Sequence, residues 1–185
     1  MKKLYLPLLL ALTLLLTGCG NSSARSDVEK FSAALSEMDE LNFTSRLRAE
    51  YDDRSAEFTL DYTEDADGCR VTVTSPEIIK GVSAHISTGE TALEYDGVAL
   101  DTGLLDDFGL SPMSALPILV DALRSGYLDS AWEAGEELVA IFLPSDELSV
   151  EVHFDKYTKL PVSAELASGG RVRVFAEISD WNKLQ

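Results

Sequence analysis

The chain has 185 residues, 45% hydrophobic and 25% charged, with 15 basic against 32 acidic side chains and a formal net charge of −17. Such a balance repels nucleic acid and anionic lipid headgroups, so neither a phosphate-backbone partner nor a basic membrane-binding surface is expected. The apolar share excludes a disordered chain, and the length suits one domain with a single core.

In chain order, Lys2 and Lys3 precede an apolar run from Leu4 to Leu16 that is broken only by Tyr5, Pro7 and Thr13. This is the layout of a secretory signal peptide, because the run falls short of the about 20 apolar residues that cross a bilayer. It ends in LLLTGCG, residues 14–20. Leu16-Thr17-Gly18-Cys19 resembles the bacterial lipobox, which implies cleavage before Cys19 and a diacylglycerol on its thiol. Removing residues 1–18 takes away two lysines and no acid, leaving 13 basic against 32 acidic residues and a net charge of −19. Membrane association then rests on the lipid at Cys19 rather than on a basic surface. With Cys19 acylated, Cys69 has no partner for an intramolecular disulfide.

Residues 19–25, CGNSSAR, read as a short polar tether between anchor and domain. Ser26-Asp27-Val28-Glu29 fits a capping box, and Val28, Phe31, Leu35 and Met38 recur at helical spacing. An amphipathic helix is predicted to about residue 40. From Asn42 the period becomes two, with Phe43, Ser45, Leu47, Ala49 and Tyr51 on one face and Thr44, Arg46, Arg48 and Glu50 on the other. Phe58, Leu60 and Tyr62, then Val71 and Val73, repeat the alternation across the turn TEDADG. Further strands are predicted over 82–88, 91–95 and 98–105, separated by hairpin turns at STGE, 87–90, and at Asp96-Gly97.

A second helix is predicted from the Ser111-Pro112 start, with Leu116, Leu119, Val120 and Leu123 on one side and Gly126 as its stop. Pro117 is expected to kink this helix or delay its start. Residues 127–135 fit more than one element, and strands resume over 137–143, 149–154, 161–167 and 171–178, the last two joined by SGG, 168–170. The expected fold is α+β: a curled antiparallel sheet, a half-open β-barrel of about nine to eleven strands, with an N-terminal helix and a central helical segment covering the concave face. Residues 26–185 form this domain, with no internal repeat and no second boundary.

Two stretches carry a family resemblance. One is VTVTSPEIIKGVSAHISTGETALEYDGVAL at 71–100, where Ser75-Pro76-Glu77 leads into a strand and Tyr95-Asp96-Gly97 makes the next turn. The other is VEVHFDKYTKLPVSAELASGGRVRVFAEI at 150–178, where Asp155, Thr158 and Pro161 form an Asp-x-x-Thr-x-x-Pro turn. With the N-terminal helix and the meander, they make the chain resemble the LolA-like, LolB-like and LppX-like envelope proteins over most of residues 26–182. The resemblance implies a half-open barrel that binds acyl chains without covalent chemistry, each buried methylene contributing about 0.8 kcal/mol. Lining residues for such a cavity would be Phe58, Leu60, Ile86, Leu93 and Phe142 from the sheet and Leu116, Leu119, Val120 and Leu123 from the central helix. The same residues equally fit a filled core. The family's soluble carriers are not lipidated, so the LTGC motif aligns the chain with the anchored relatives. Neither Arg46 nor Arg48 is singled out as the family's functional basic residue.

Catalytic chemistry finds little support. His85 and His153 each fall in an alternating strand, without metal-ligand spacing, and read as solvated or hydrogen-bonded. No GxSxG elbow, P-loop or dinucleotide fingerprint is present. TEDADG has Thr63 at the first position of a calcium loop and Thr74 at the last, so a hairpin turn is the better reading. Asp52-Asp53, Asp106-Asp107 and Glu136-Glu137 are adjacent pairs whose members point to opposite faces of a strand. The expectation is a non-enzyme without cofactor or metal, attached through Cys19 to the outer face of the cytoplasmic membrane, or to an outer membrane if the host has one. Its partner is a lipid or other apolar ligand. The alternative is a protein-interaction or envelope-stress sensory module with a filled core.

Overall fold

Leu41, Phe43, Ser45, Leu47 and Ala49 form one buried face of strand β1, Leu41–Glu50, as period-two alternation requires. β1 is the middle strand of the sheet. The computed structural model describes residues 20–51, 54–87, 90–103 and 110–181; Cys19, Asp52, Asp53, Asp106, Asp107 and the centre of the STGE turn lie outside them. Ahead of β1 runs helix α1, Gly20–Ser36. After it come β2 Ser55–Asp65, β3 Gly68–Ser75, β4 Ser83–Ser87, β5 Glu90–Tyr95 and β6 Val98–Gly103. Helix α2, Pro112–Ser125, follows, and then β7 Tyr127–Ala134, β8 Glu137–Leu143, β9 Leu148–Asp155, β10 Pro161–Ser168 and β11 Arg171–Ser179.

All the pairings are antiparallel, and the described strands form one eleven-stranded sheet in the order β6-β5-β4-β3-β2-β1-β11-β10-β9-β8-β7. The first and last strands meet at its centre, Thr44 opposite Ser179 and Ala49 opposite Val174. Two meanders therefore spread outward as wings, and α2 lies in the connection between their edges. The sheet is unclosed and curled. β3 and β8 are six strand positions apart, which at about 4.8 Å each would be about 29 Å in a flat sheet. Yet α2, about 21 Å long from its 14 residues, touches both of them as well as β1 and β10.

Between α2 and the sheet sits one core cluster. Leu116, Leu119 and Leu123 of the helix meet Leu60, Phe142, Val150, Leu166 and Val174 of the strands. Beside it, Phe43 stacks between Tyr62 and Trp181 at centroid distances of 4.9 and 4.7 Å, and Phe31 of α1 meets the Phe154 ring edge-on at 5.2 Å. The Asp155 turn forms as its residue types dictate: the carboxylate accepts from the backbone N–H of Tyr157 and Thr158 at 3.0 and 2.7 Å and from the Thr158 hydroxyl at 3.0 Å. These bonds hold the Asp155 carboxyl below its ordinary pKa.

Three expectations are corrected. Residues 20–25 are not a free tether but the opening of α1, and Ser26 with Glu29 caps nothing because the helix has already begun. Tertiary contact explains the extension: Ala24 is fully buried, and the Arg25 guanidinium donates to the carbonyls of Leu128 at 2.8 Å and Asp129 at 3.2 Å. Those carbonyls belong to edge strand β7, where a register shift leaves Asp129 without a strand partner. Tyr51 falls beyond β1 and is 43% exposed. Of the two effects expected of Pro117, the delayed start does not occur, because the Ser114 N–H donates to the Ser111 hydroxyl at 3.2 Å and the Ser111 N–H to the Ser114 hydroxyl at 2.8 Å, fixing the first turn at Pro112. The segment from Tyr127, ambiguous in sequence, is edge strand β7.

Candidate functional site

The concave face was the sequence-derived candidate, and its residues divide into two groups. Leu60, Leu116, Leu119 and Leu123 are 0% exposed and Phe142 is 1% exposed. A hollow wide enough for water would leave accessible area on its walls, so the space among these five side chains is filled. Phe58 is partly buried against the same cluster. The second group lies on the β4–β6 wing, where α2 covers less of the sheet. Ile86 and Leu93 face the concave side in register with Cys69 and Ala84, and both are only partly buried. Farther along that face, Tyr95 and Val98 are 53% and 63% exposed.

Between this wing and α2 runs a groove of 330 Å³, within the range of small-ligand sites of about 300–1,000 Å³. Its apolar lining is Ile86 from β4 with Pro117, Ile118 and Val120 from α2. Its polar end is built from Tyr62, Glu64, Asp121 and Arg124. Arg124 Nη1 lies 2.6 Å from Glu64 Oε1, and its Nε donates to the Leu35 carbonyl of α1 at 3.3 Å. The Tyr62 hydroxyl donates to the other Glu64 oxygen at 3.0 Å. Arg124 thus joins α2 to β2 through an ion pair and to α1 through a hydrogen bond.

Sequence reasoning placed Ile86 and Val120 among the candidates and missed Ile118, Glu64 and Arg124. Glu64 did carry a signal. It continues the inward phase of Phe58, Leu60 and Tyr62, and a carboxylate on an apolar phase needs a partner. Arg124 carried none, since a cation in the last turn of a helix is commonplace. Cys69 also lines the groove, and burial is the main cause that pushes its thiol up to about 11, so it is protonated at neutral pH. Gly68 beside it has φ +131°, and a side chain there would collide with the Ile86 carbonyl, so the β3–β4 approach at the groove requires glycine.

The convex face holds the remaining sequence candidates. Arg46 is 3.6 Å from Glu177, and Arg48 is 2.9 Å from Glu50 with its guanidinium 4.4 Å from the Phe175 ring centroid. His85 accepts or shares a hydrogen with Arg70 at 3.3 Å. His153 lies between Glu137 and Glu151, at 2.7 and 3.1 Å. Glu136 is exposed and does not join Glu137 at a common centre. No group of three or more metal-ligating side chains converges among the described residues.

An unclosed antiparallel sheet curled about a central helix defines the class, the LolA-like half-barrel, and solved structures share it. A conserved protein from Thermus thermophilus matches with TM-score 0.50 and 11% identity over 88% of this chain and 90% of its own. An outer membrane lipoprotein-sorting protein domain from Vibrio parahaemolyticus matches with TM-score 0.50 and 11% identity over 88% and 94%. A LolA superfamily protein from Nitrosomonas europaea gives 0.48 and 13% over 88% and 94%. No protein-family model and no curated protein matches in sequence. What these structures share with the domain is the fold, a LolA-like half-open barrel.

Proposed function

We propose that this protein is a membrane-anchored extracytoplasmic lipoprotein that binds a lipid acyl chain or another apolar ligand without catalysis, in lipid or lipoprotein transport. The observation that carries the reading is the groove beside α2, where Ile86 and Ile118 are left only partly buried. Burying such side chains against an alkyl chain is favourable in proportion to area and needs no directional partner. The LTGC motif supports attachment through Cys19. No helix among the described residues is long and apolar enough to cross a membrane. The lipoprotein-sorting domain of the Vibrio neighbour is in keeping with this reading.

The test has two parts. Mass spectrometry of the exported protein is expected to find a diacylglyceryl thioether on Cys19, and Cys19→Ala is expected to remove the protein from the membrane fraction. Titration with an uncharged fluorescent alkyl probe is expected to saturate, and Ile86→Asp with Ile118→Asp to abolish binding while circular dichroism stays native. Absence of saturable binding would sink the carrier reading.

The filled space under α2 favours a second reading, a protein-interaction or envelope-stress sensory module whose partner docks on the outside. Crosslinking in cells should then capture one specific envelope protein, and captures that vary at random count against it.

A further inference from the structure

We propose that the groove sorts amphiphiles by the charge of their polar end, taking cationic or uncharged heads and refusing anionic ones. The inference rests on the reading that the groove holds an alkyl chain. Ile86, Pro117, Ile118 and Val120 supply the apolar wall, and an alkyl chain laid along it brings its head to Tyr62, Glu64, Asp121 and Arg124. The single cation there is already engaged. Arg124 holds Glu64 at 2.6 Å and the Leu35 carbonyl at 3.3 Å, and Glu64 takes a further hydrogen bond from Tyr62 at 3.0 Å. Glu64 and Arg124 cancel. Asp121, exposed and three residues before Arg124 on the same side of α2, leaves the polar end with one net negative charge.

The rest of the molecule reinforces that sign. A chain of net charge −17 sets up a negative potential around the groove mouth, which repels carboxylate and phosphate heads and attracts ammonium ones. An anionic head would have to displace Glu64 from Arg124 and leave a half-buried carboxylate without its counter-ion, whereas a cationic head meets Asp121 directly. The occupant is therefore a long-chain amphiphile with an amine or hydroxyl head.

The experiment is competition on the exported protein held in phosphatidylcholine nanodiscs, with an uncharged fluorescent alkyl probe in the groove and uptake by empty nanodiscs subtracted. Dodecyltrimethylammonium, dodecanol and dodecanoate share one chain length and differ in head charge. The first two are expected to displace the probe at concentrations at least about tenfold below dodecanoate, and Asp121→Asn to narrow the gap between ammonium and carboxylate. Displacement by dodecanoate as good as that by the ammonium, or a gap unchanged in Asp121→Asn, overturns charge sorting and leaves the groove intact. Failure of the uncharged probe to bind overturns the groove itself.

Discussion

Ser45 lies on the inward face of β1, fully buried, and its hydroxyl has no hydrogen-bond partner among the described residues. Its neighbours across the sheet are Leu60 and Ile178. An unsatisfied buried hydroxyl costs about 1–3 kcal/mol, so Ser45→Ala is expected to stabilise the fold within that range, measured as a shift in the urea midpoint. A lower midpoint in Ser45→Ala would show that the hydroxyl is satisfied in solution. His153 works in the opposite direction. Burial disfavours its charge, but the hydrogen bonds and charges of Glu137 and Glu151 outweigh burial and raise its pKa above 6.5. A pKa raised by folding contributes stability that is fully present below about pH 6.5 and is lost as pH rises through the higher folded value. The melting temperature of the protein relative to His153→Gln should therefore be highest near pH 6 and decline toward pH 9, and a flat difference would remove the ion pairs from the account.

At the scale of elements, α2 is the piece on which the interior depends. Eight of its 14 residues are buried, and its last turn is tied by Arg124 to Glu64 and to the C-terminal turn of α1. Removing one member of this half-buried pair leaves the other without its counter-ion. Arg124→Met is expected to destabilise by about 1–3 kcal/mol, and the double change Arg124→Met with Glu64→Gln by clearly less. Equal losses in single and double variants would mean that the pair is solvated. The stop after α2 is equally constrained, since a side chain at Gly126 would strike the Ala122 carbonyl. β7 then starts at once, at Tyr127. The sequence left that segment undecided because β7 is an edge strand, packed on one side by β8 and on the other by α1, so its alternation is interrupted by half-buried positions.

At the scale of the whole molecule, the question is how an unclosed sheet of this size avoids an empty interior. It does so by laying α2 across the strands and burying Leu116, Leu119 and Leu123 against both wings. Truncating this plug should leave a cavity: Leu119→Ala is expected to cost about 2–5 kcal/mol in chemical denaturation. A cost below about 1 kcal/mol would indicate an interior that collapses readily, as a chain-binding cavity would.

The sequence alone determined the order of elements and most strand boundaries, because apolar period and turn residues act locally: Phe43 to Ala49, the Asp155–Thr158–Pro161 turn and the Ser111 cap are each specified by their own neighbours. It also marked Cys19 as the expected point of attachment, on residues beside it. Only the tertiary structure decided which apolar residues are spent on the core and which border a groove. Leu119 and Ile118 are adjacent in sequence, and the direction in which α2 faces the curled sheet separates them. It likewise decided that Ala24 and Arg25 belong to a helix, since the β7 carbonyls that hold Arg25 lie over a hundred residues away. Contacts of that range depend on how the sheet curls, and no local pattern encodes them.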